Sequence, residues 1–295
     1  MESILIAGGS GFIGAKLKSH LQSKGHKVNI LTRFPKNKED VFWNPKTRKI
    51  NTEEILKTSI LINLCGENIA KKRWTNKRKK ELLSSRVDTS TFLFSIAHSL
   101  PNLKHFIGAS GINCYGNTNS KKYYSEKDIL GNNFISNLVM QWEKSHLLFE
   151  KKCKTTIFRL PIVLEKNEGA LKKMESLFSI GFGSVLGSGT QIMNWVSIDD
   201  LLRLFEHTIN KRIEGIYNIS ANNTSNYDFS HALANALKRK IILPKAPKFA
   251  IKMIFGELSD ILINGNYVSS KKILNTGFLY EKTDINTTLK NLYQD

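Results

Sequence analysis

The sequence predicts an α/β chain built on a doubly wound parallel sheet, with a smaller and mostly helical lobe after it. Three observations predict this. Short apolar runs alternate with longer runs of helical spacing through the first half of the chain. A glycine-rich turn joins the first such pair. No tight-hairpin signal separates consecutive apolar runs, so their partners are parallel and helices cover both faces of the sheet. The 295 residues suit one large unit or two unequal ones, and 41% hydrophobic content supplies a core and excludes a disordered or collagen-like chain.

Ser3–Ala7 reads as the first strand. Phe12–Lys24 carries Phe12, Ile13, Leu17 and Leu21 at helical spacing, and Gly25 follows where a helix C-terminus favours glycine. Lys27–Leu31 and Ile60–Leu64 are strands. Thr75–Leu100 is a long helix with Leu82, Leu83, Val87, Phe92, Leu93 and Ile96 inward, stopped by Pro101. His105–Ala109 is a strand, Asn133–Lys151 a helix with Phe134, Leu138, Val139 and Trp142 on its apolar side, and Thr155–Leu160 a strand ending at Pro161.

After about Glu165 the segments shorten, and Gly181, Gly183, Gly187 and Gly189 crowd together. Helices are expected at Ile198–Asn210, capped by Ser197, and at Tyr227–Leu237. We therefore read residues 1–165 as the main unit and 166–295 as the smaller lobe, with some later segments returning to the main sheet. Residues 247–295 form a helical tail of that lobe.

Lys and Arg number 44 against 25 Asp and Glu, a formal charge of +19. Such a charge fits an anionic partner, or a composition rich in Lys and Asn with no functional demand behind it. The densest basic run, Lys71, Lys72, Arg73, Lys77, Arg78, Lys79 and Lys80, turns around several helix faces, as a solvated surface does. No nucleic-acid-binding signature accompanies it, so no nucleic-acid partner is expected. Cys65, Cys114 and Cys153 lack metal-ligand spacing, the histidines are dispersed, and no metal is expected. The sparse cysteines, the immediate first strand and the lack of any ~20-residue apolar run point to a cytoplasmic chain without a membrane partner.

Gly8-Gly9-Ser10-Gly11-Phe12-Ile13-Gly14 lies between the first strand and the first helix. In such a loop one glycine permits the tight turn, the next lets the backbone approach a pyrophosphate, and the last lets helix and strand touch. The helix N-terminus then offers N–H groups and partial positive charge to the phosphates. A dinucleotide site of the Rossmann type follows, formed by Gly8, Ser10, Gly11, Phe12, Ile13 and Gly14. The second strand ends Leu31-Thr32-Arg33-Phe34-Pro35-Lys36, without the acid that would bind a free ribose hydroxyl. Arg33 and Lys36 instead suit a 2′-phosphate, which favours NADP over NAD. Asn63-Leu64-Cys65-Gly66 closes the Ile60–Leu64 strand beside the same crevice.

These motifs resemble the extended short-chain dehydrogenase/reductases. Gly66-Glu67-Asn68-Ile69-Ala70-Lys71-Lys72-Arg73-Trp74-Thr75, with Lys80-Glu81-Leu82-Leu83-Ser84-Ser85-Arg86, is similar to the epimerase-like atypical members, described as sugar-nucleotide epimerases or cell-division-inhibitor-like proteins. Gly187-Ser188-Gly189-Thr190-Gln191, Trp195 to Leu201, and Gly256-Glu257-Leu258 with Val268-Ser269-Ser270 extend the match along the chain. The tail from Pro247 resembles that family's C-terminal domain of unknown function. The resemblance implies NADP as cofactor. It implies Thr32 and Arg33 at the 2′-phosphate, Leu64 and Cys65 as the ribose–adenine wall, and Glu81, Arg86 and Val163 as further cofactor-side positions.

The usual proton-transfer pair of that superfamily is Tyr-x-x-x-Lys on one helix face, where the Lys cation lowers the Tyr pKa. Here Phe134 and Leu138 occupy the two places. Two literal strings, Tyr123…Lys127 and Tyr267…Lys271, lie outside that helix. Ser110 is the expected serine, although alignment on Tyr115-Gly116 puts Gly111 there instead. Tyr115 is the nearest replacement proton donor or else an aromatic packing the cleft floor. Glu67, Arg73, Trp74 and Trp195 are the substrate-side candidates; Arg73 and Trp74 make either a cation-and-stacking wall or a core filler with its cover. Two functions remain open: an NADP-dependent oxidoreductase or epimerase acting on a small polar, sugar-like molecule, or a cofactor-sensing module without turnover. A homodimer stays open as well.

Overall fold

The computed structural model describes residues 1–116 and 121–294. In chain order the main unit contains β1 (Ser3–Ala7), α1 (Phe12–Ser23), β2 (Lys27–Thr32), β3 (Asp40–Asn44), β4 (Lys49–Ile50), β5 (Ile60–Asn63), α2 (Asn76–Ala97), β6 (His105–Gly111), β7 (Tyr123–Tyr124), α3 (Phe134–His146) and β8 (Lys154–Leu160). The rest comprises β9 (Ile162–Leu164), α4 (Gly169–Ser179), β10 (Ile192–Ser197), α5 (Ile198–Lys211), β11 (Gly215–Asn218), β12 (Asn222–Ser225), α6 (Asn226–Ala236), α7 (Lys248–Phe255), α8 (Asp260–Ile263), β13 (Tyr267–Val268), α9 (Lys271–Leu274) and α10 (Ile285–Gln294).

The large sheet runs β11-β8-β6-β5-β1-β2-β3-β4. From β11 to β3 every neighbour is parallel, and only β4 is antiparallel, at the edge. Strand order reverses between β1 and β5, and a ligand crevice opens at such a switch point, outside the strands' carboxyl ends. Ile4, Ile6, Ile60, Ile62 and Ile107 fill one face under α1 and α5. Leu5, Leu61, Phe106 and Phe149 fill the other under α2. Alternate residues of one strand thus serve two cores, which explains why these strands read as continuous apolar runs.

β11, from the second half of the chain, pairs with β8 at the edge of the large sheet. The second half also forms its own three-stranded sheet, β12-β10-β9, which packs Trp195, Phe229, Leu233 and Leu289 beneath α4, α6 and α10. The long helix begins one residue after Thr75, whose hydroxyl accepts the Arg78 N–H, and ends at Ala97. The next expected helix stops at His146 and tightens into a 3₁₀ turn over Leu147–Lys151. Ser197 caps α5 by accepting the Asp200 N–H at 3.1 Å. No helix among the described residues is long and apolar enough to cross a membrane.

Candidate functional site

The glycine loop shows why each glycine is needed. Gly8 turns with φ +83°, and a Cβ there would stand 2.9 Å from the Leu64 carbonyl carbon. A Cβ on Gly14 would stand 2.3 Å from the Gly8 oxygen, so helix and loop touch backbone to backbone. The Gly11 N–H donates to Gly8 O at 3.0 Å and closes the turn. Gly11 precedes α1 with extended backbone, no side chain caps the helix, and its first turn holds no acid. The first N–H groups and the positive end of the helix dipole therefore face outward, between exposed Ser10 and half-buried Phe12 and Ile13. Lys16 pairs with Glu165 at 2.9 Å. The Phe12 ring lies against Gly169, which also neighbours the Val163 carbonyl. Val163 is thereby brought to the start of α1.

At the next strand end, the Thr32 hydroxyl accepts the Phe34 N–H at 3.2 Å. Asp40 gathers the N–H groups of Lys36 and Asn37 at 2.8 and 3.0 Å, which shapes the loop after β2. Arg33 is exposed, its guanidinium 5.9 Å from the Phe34 ring, and no carboxylate pairs with it among the described residues. Its charge reaches the Cys65 thiol, although burial dominates there and pushes that thiol up to about 12. Leu64 donates its N–H to Ala7 O at 2.9 Å, and Cys65 donates to the Asn63 side chain at 3.1 Å. Gly8, Arg33, Leu64 and Cys65 thus meet at the switch point.

The segment after Cys65 is held by two buried arginines. Arg86 donates to Glu67 O and Leu82 O, each at 3.0 Å, and its guanidinium lies 4.9 Å from the Trp142 ring. A Cβ on Gly66 would stand 3.0 Å from that guanidinium carbon, so a larger residue there requires the Arg86 side chain to shift. Burial in this setting lowers the Arg86 pKa to about 10. Arg78 donates to Glu67 at 3.2 Å, to Glu81 at 3.0 Å and to Asn68 O at 2.8 Å. The Glu81 carboxylate therefore engages an arginine of its own helix. Arg78 is not the solvated charge expected from the basic run; it is buried, with two acids and a carbonyl engaging its two terminal nitrogens.

Two tryptophans expected at the substrate wall belong to cores. Trp195 is fully buried, its indole N–H donating to the Thr224 hydroxyl at 2.8 Å. Trp74 is buried with its N–H on Ile69 O and its ring edge-on to Phe134 at 5.1 Å. Arg73 is exposed beside Gly256, and Glu67 is exposed with Arg78 as its partner.

Ser110 and Tyr115 enter one buried network. The Ser110 hydroxyl donates to Glu143 Oε1 at 2.8 Å. Arg159 donates to both oxygens of Glu143, each at 2.8 Å, and to the Tyr115 oxygen at 2.7 Å. Tyr115 donates to Asn218 Oδ1 at 2.7 Å. Burial raises the Tyr115 pKa above that of an ordinary phenol. Tyr115 thus takes the cleft-floor alternative: its proton is committed to Asn218 and its ring is 2% exposed. The two spare Tyr-x-x-x-Lys strings share one structural role. Tyr123 and Tyr267 are register partners in a two-stranded parallel sheet, their rings 5.0 Å apart, so a strand exists at Tyr267 where none was expected. No cluster of metal ligands occurs among the described residues.

The model of the NAD dependent epimerase/dehydratase family matches residues 4–220, and that of a domain of unknown function, DUF1731, matches residues 246–292. The chain belongs to the NAD dependent epimerase/dehydratase family. An epimerase family protein of Mycobacterium tuberculosis is 32% identical over 291 residues, covering 97% of this chain and 96% of its own length. Epimerase family protein SDR39U1 of Mus musculus is 30% identical over 297 residues, covering 98% and 99%. The crystal structure of human SDR39U1 (isoform 2) with NADPH superposes with a TM-score of 0.89 at 28% identity, covering 99% of both chains. UDP-N-acetylglucosamine 4-epimerase from Bacillus cereus shares the fold, with a TM-score of 0.78 at 16% identity and coverage of 100% and 99%.

In this epimerase-family chain, sequence reasoning missed Arg78, Glu143, Arg159 and Asn218. Glu143 sits nine residues after Phe134 on the inner face of α3, and an acid on an otherwise apolar helix face was the available signal. Asn218 lies on β11, whose four residues carry no strong strand pattern.

Proposed function

We propose that this chain binds NADP(H) at the β1–β2–β5 crevice and transfers hydride to or from a small polar, sugar-like substrate, as an oxidoreductase or epimerase. The observation that carries the reading is an uncapped helix N-terminus, suited to a pyrophosphate, at the same sheet edge as Arg33, which has no carboxylate partner among the described residues and suits a 2′-phosphate. The NADPH bound by the human relative agrees with it. The cofactor supplies the hydride. This chain's residues fix its phosphates through α1 and Arg33, hold the Gly66–Glu67 segment through Arg86, and keep Ser110 oriented through Glu143.

A second reading has a specific observation behind it. Phe134 and Leu138 cannot exchange protons, and the Ser110 and Tyr115 hydroxyls are both buried and engaged. On this reading the chain senses NADP(H) without turning it over. NADPH absorbance at 340 nm, followed with a panel of aldehydes, ketones and nucleotide sugars, reports net reduction. Chromatography of nucleotide sugars incubated with the NADP-loaded chain reports epimerisation, which returns the hydride and leaves absorbance unchanged; together they separate the two. Substrate-dependent NADPH loss or epimer formation, diminished by Ser110→Ala, supports the enzyme. Cofactor binding with no turnover across the panel supports the sensor.

A further inference from the structure

The exposed apolar side chains are not scattered over this molecule. Of nineteen large hydrophobic residues open to solvent, nine lie in two short segments: Leu177, Ile180 and Phe182, and then Ile242, Leu243, Phe249, Met253, Ile254 and Phe255. Ile242 is 80% exposed, Phe249 70%, Met253 68% and Ile254 64%, values at which burial in the folded chain contributes little.

One side-chain and two backbone hydrogen bonds join the adjoining stretches 184–187 and 244–246 and so hold the two segments near one another. The Ser184 hydroxyl donates to Pro244 O at 2.6 Å, Ala246 N–H to Val185 O at 2.8 Å, and Gly187 N–H to Ala246 O at 2.8 Å. α7 rests on the molecule chiefly through Ile251, its one buried residue. At 100° per residue, Phe249 and Met253 lie about 40° apart on the face opposite Ile251, exposed Ile254 lies about 60° from Ile251, and Lys248 and Lys252 follow one edge of the outer arc.

The charge of this surface is one-sided. Between Asp228 and Glu257 the chain has no acid, while Lys238, Arg239, Lys240, Lys245, Lys248 and Lys252 are all exposed. The 238–252 stretch carries six exposed cations and no acid, with Glu175 and Glu257 at the borders of the face, and its net positive charge repels a second copy of itself, which disfavours a symmetric dimer here. Protruding apolar side chains on a helix lying along the surface, rimmed by lysines with long alkyl stems, match the chemistry of an anionic lipid headgroup layer. The apolar arc enters the acyl boundary, and the ammonium groups stay at the phosphates.

We propose that α7, with the adjoining 177–182 and 238–245 segments, is a peripheral docking surface for anionic membranes. No spanning helix is involved; the contact is interfacial. None of the residues of this face is among those that form the cofactor crevice, so its loss is separable from loss of NADP(H) binding.

Flotation of the full chain with phosphatidylcholine vesicles, with and without phosphatidylserine, tests this. The intact chain is expected to float only with the phosphatidylserine vesicles and to be released by salt. Lys240→Glu, Lys248→Glu and Lys252→Glu together should weaken binding by about fivefold or more per lysine. Phe249→Ser with Met253→Ser should abolish it, and both variants should keep the NADPH affinity of the parent chain, which shows that they fold. The proposal is overturned if the intact chain stays with the lipid-free fraction. It is also overturned if the variants float unchanged, or if sedimentation gives a dimer that Phe249→Ser dissociates. Retention on an immobilised acidic polypeptide but not on lipid would assign the face to a protein partner and equally overturn it.

Discussion

Replacing Arg159 by methionine should destabilise the fold far more than an ordinary substitution. Arg159 and Glu143 are 3% and 4% exposed. Between them run two charge-assisted bonds of 2.8 Å, and the pair also holds the Ser110 hydroxyl at 2.8 Å and the Tyr115 oxygen at 2.7 Å. Methionine fills similar volume but leaves the Glu143 carboxylate buried with one hydroxyl donor. Breaking one side of a buried pair costs about 3–5 kcal/mol, because an uncompensated charge remains. In a chain of this size that lowers Tm by on the order of 10 °C. Glu143→Met should cost a similar amount for the opposite reason. The double variant removes both charges, so it should cost less than the sum of the singles, with a coupling of about 2 kcal/mol or more. Denaturant unfolding of the parent, both singles and the double closes the cycle. Additive singles, or singles costing under about 1 kcal/mol, would refute the network as described.

Gly14→Ala should weaken NADPH binding by about tenfold or more, because its Cβ would stand 2.3 Å from Gly8 O and push the loop off the phosphates; nicotinamide fluorescence titration reads this directly, and unchanged affinity would contradict it. Stability should fall on acidification from pH 7 to 5. Burial holds His146 near a pKa of about 3 and His105 near about 4, so both stay neutral in the fold, whereas the unfolded chain takes up protons near 6.5. The unfolded state then binds more protons as pH drops below that value, and each histidine withdraws about 2 kcal/mol by pH 5. Unfolding midpoints that do not change between pH 7 and 5 would contradict this.

Most of the main sheet was legible because its strands are buried on both faces and read as mainly apolar runs, such as Ser3–Ala7 and His105–Ala109, the latter extending to Gly111 in the fold. The three-stranded sheet was not. β12 is Asn-Asn-Thr-Ser, whose side chains act through hydrogen bonds and carry no hydrophobic alternation. β3 escaped because polar Asp40 and Asn44 bound an alternating, half-exposed run, and β4 because it is two residues at the edge. In the site, the glycine loop was readable since each glycine answers a local steric demand. Arg78 and Arg86 were not distinguishable by type from the surrounding lysines; only tertiary acids and carbonyls, at Glu67, Glu81 and Asn68, decide that they are buried. The reverse happened at Trp195, where an aromatic in a family-like motif looked like a wall and is a core residue. Part of the +19 charge now has named positions, Arg33 at the crevice and the lysines around α7, which composition alone could not assign.

The central claim is that Arg33 marks a 2′-phosphate site at the end of β2. Titration calorimetry of the purified chain with NADPH and with NADH tests it most directly. NADPH should bind about 10- to 100-fold more tightly, the worth of one or two charge-assisted hydrogen bonds, and Arg33→Ala should close most of that gap while leaving NADH affinity nearly unchanged. Equal affinities for the two cofactors in the unmodified chain would contradict the account.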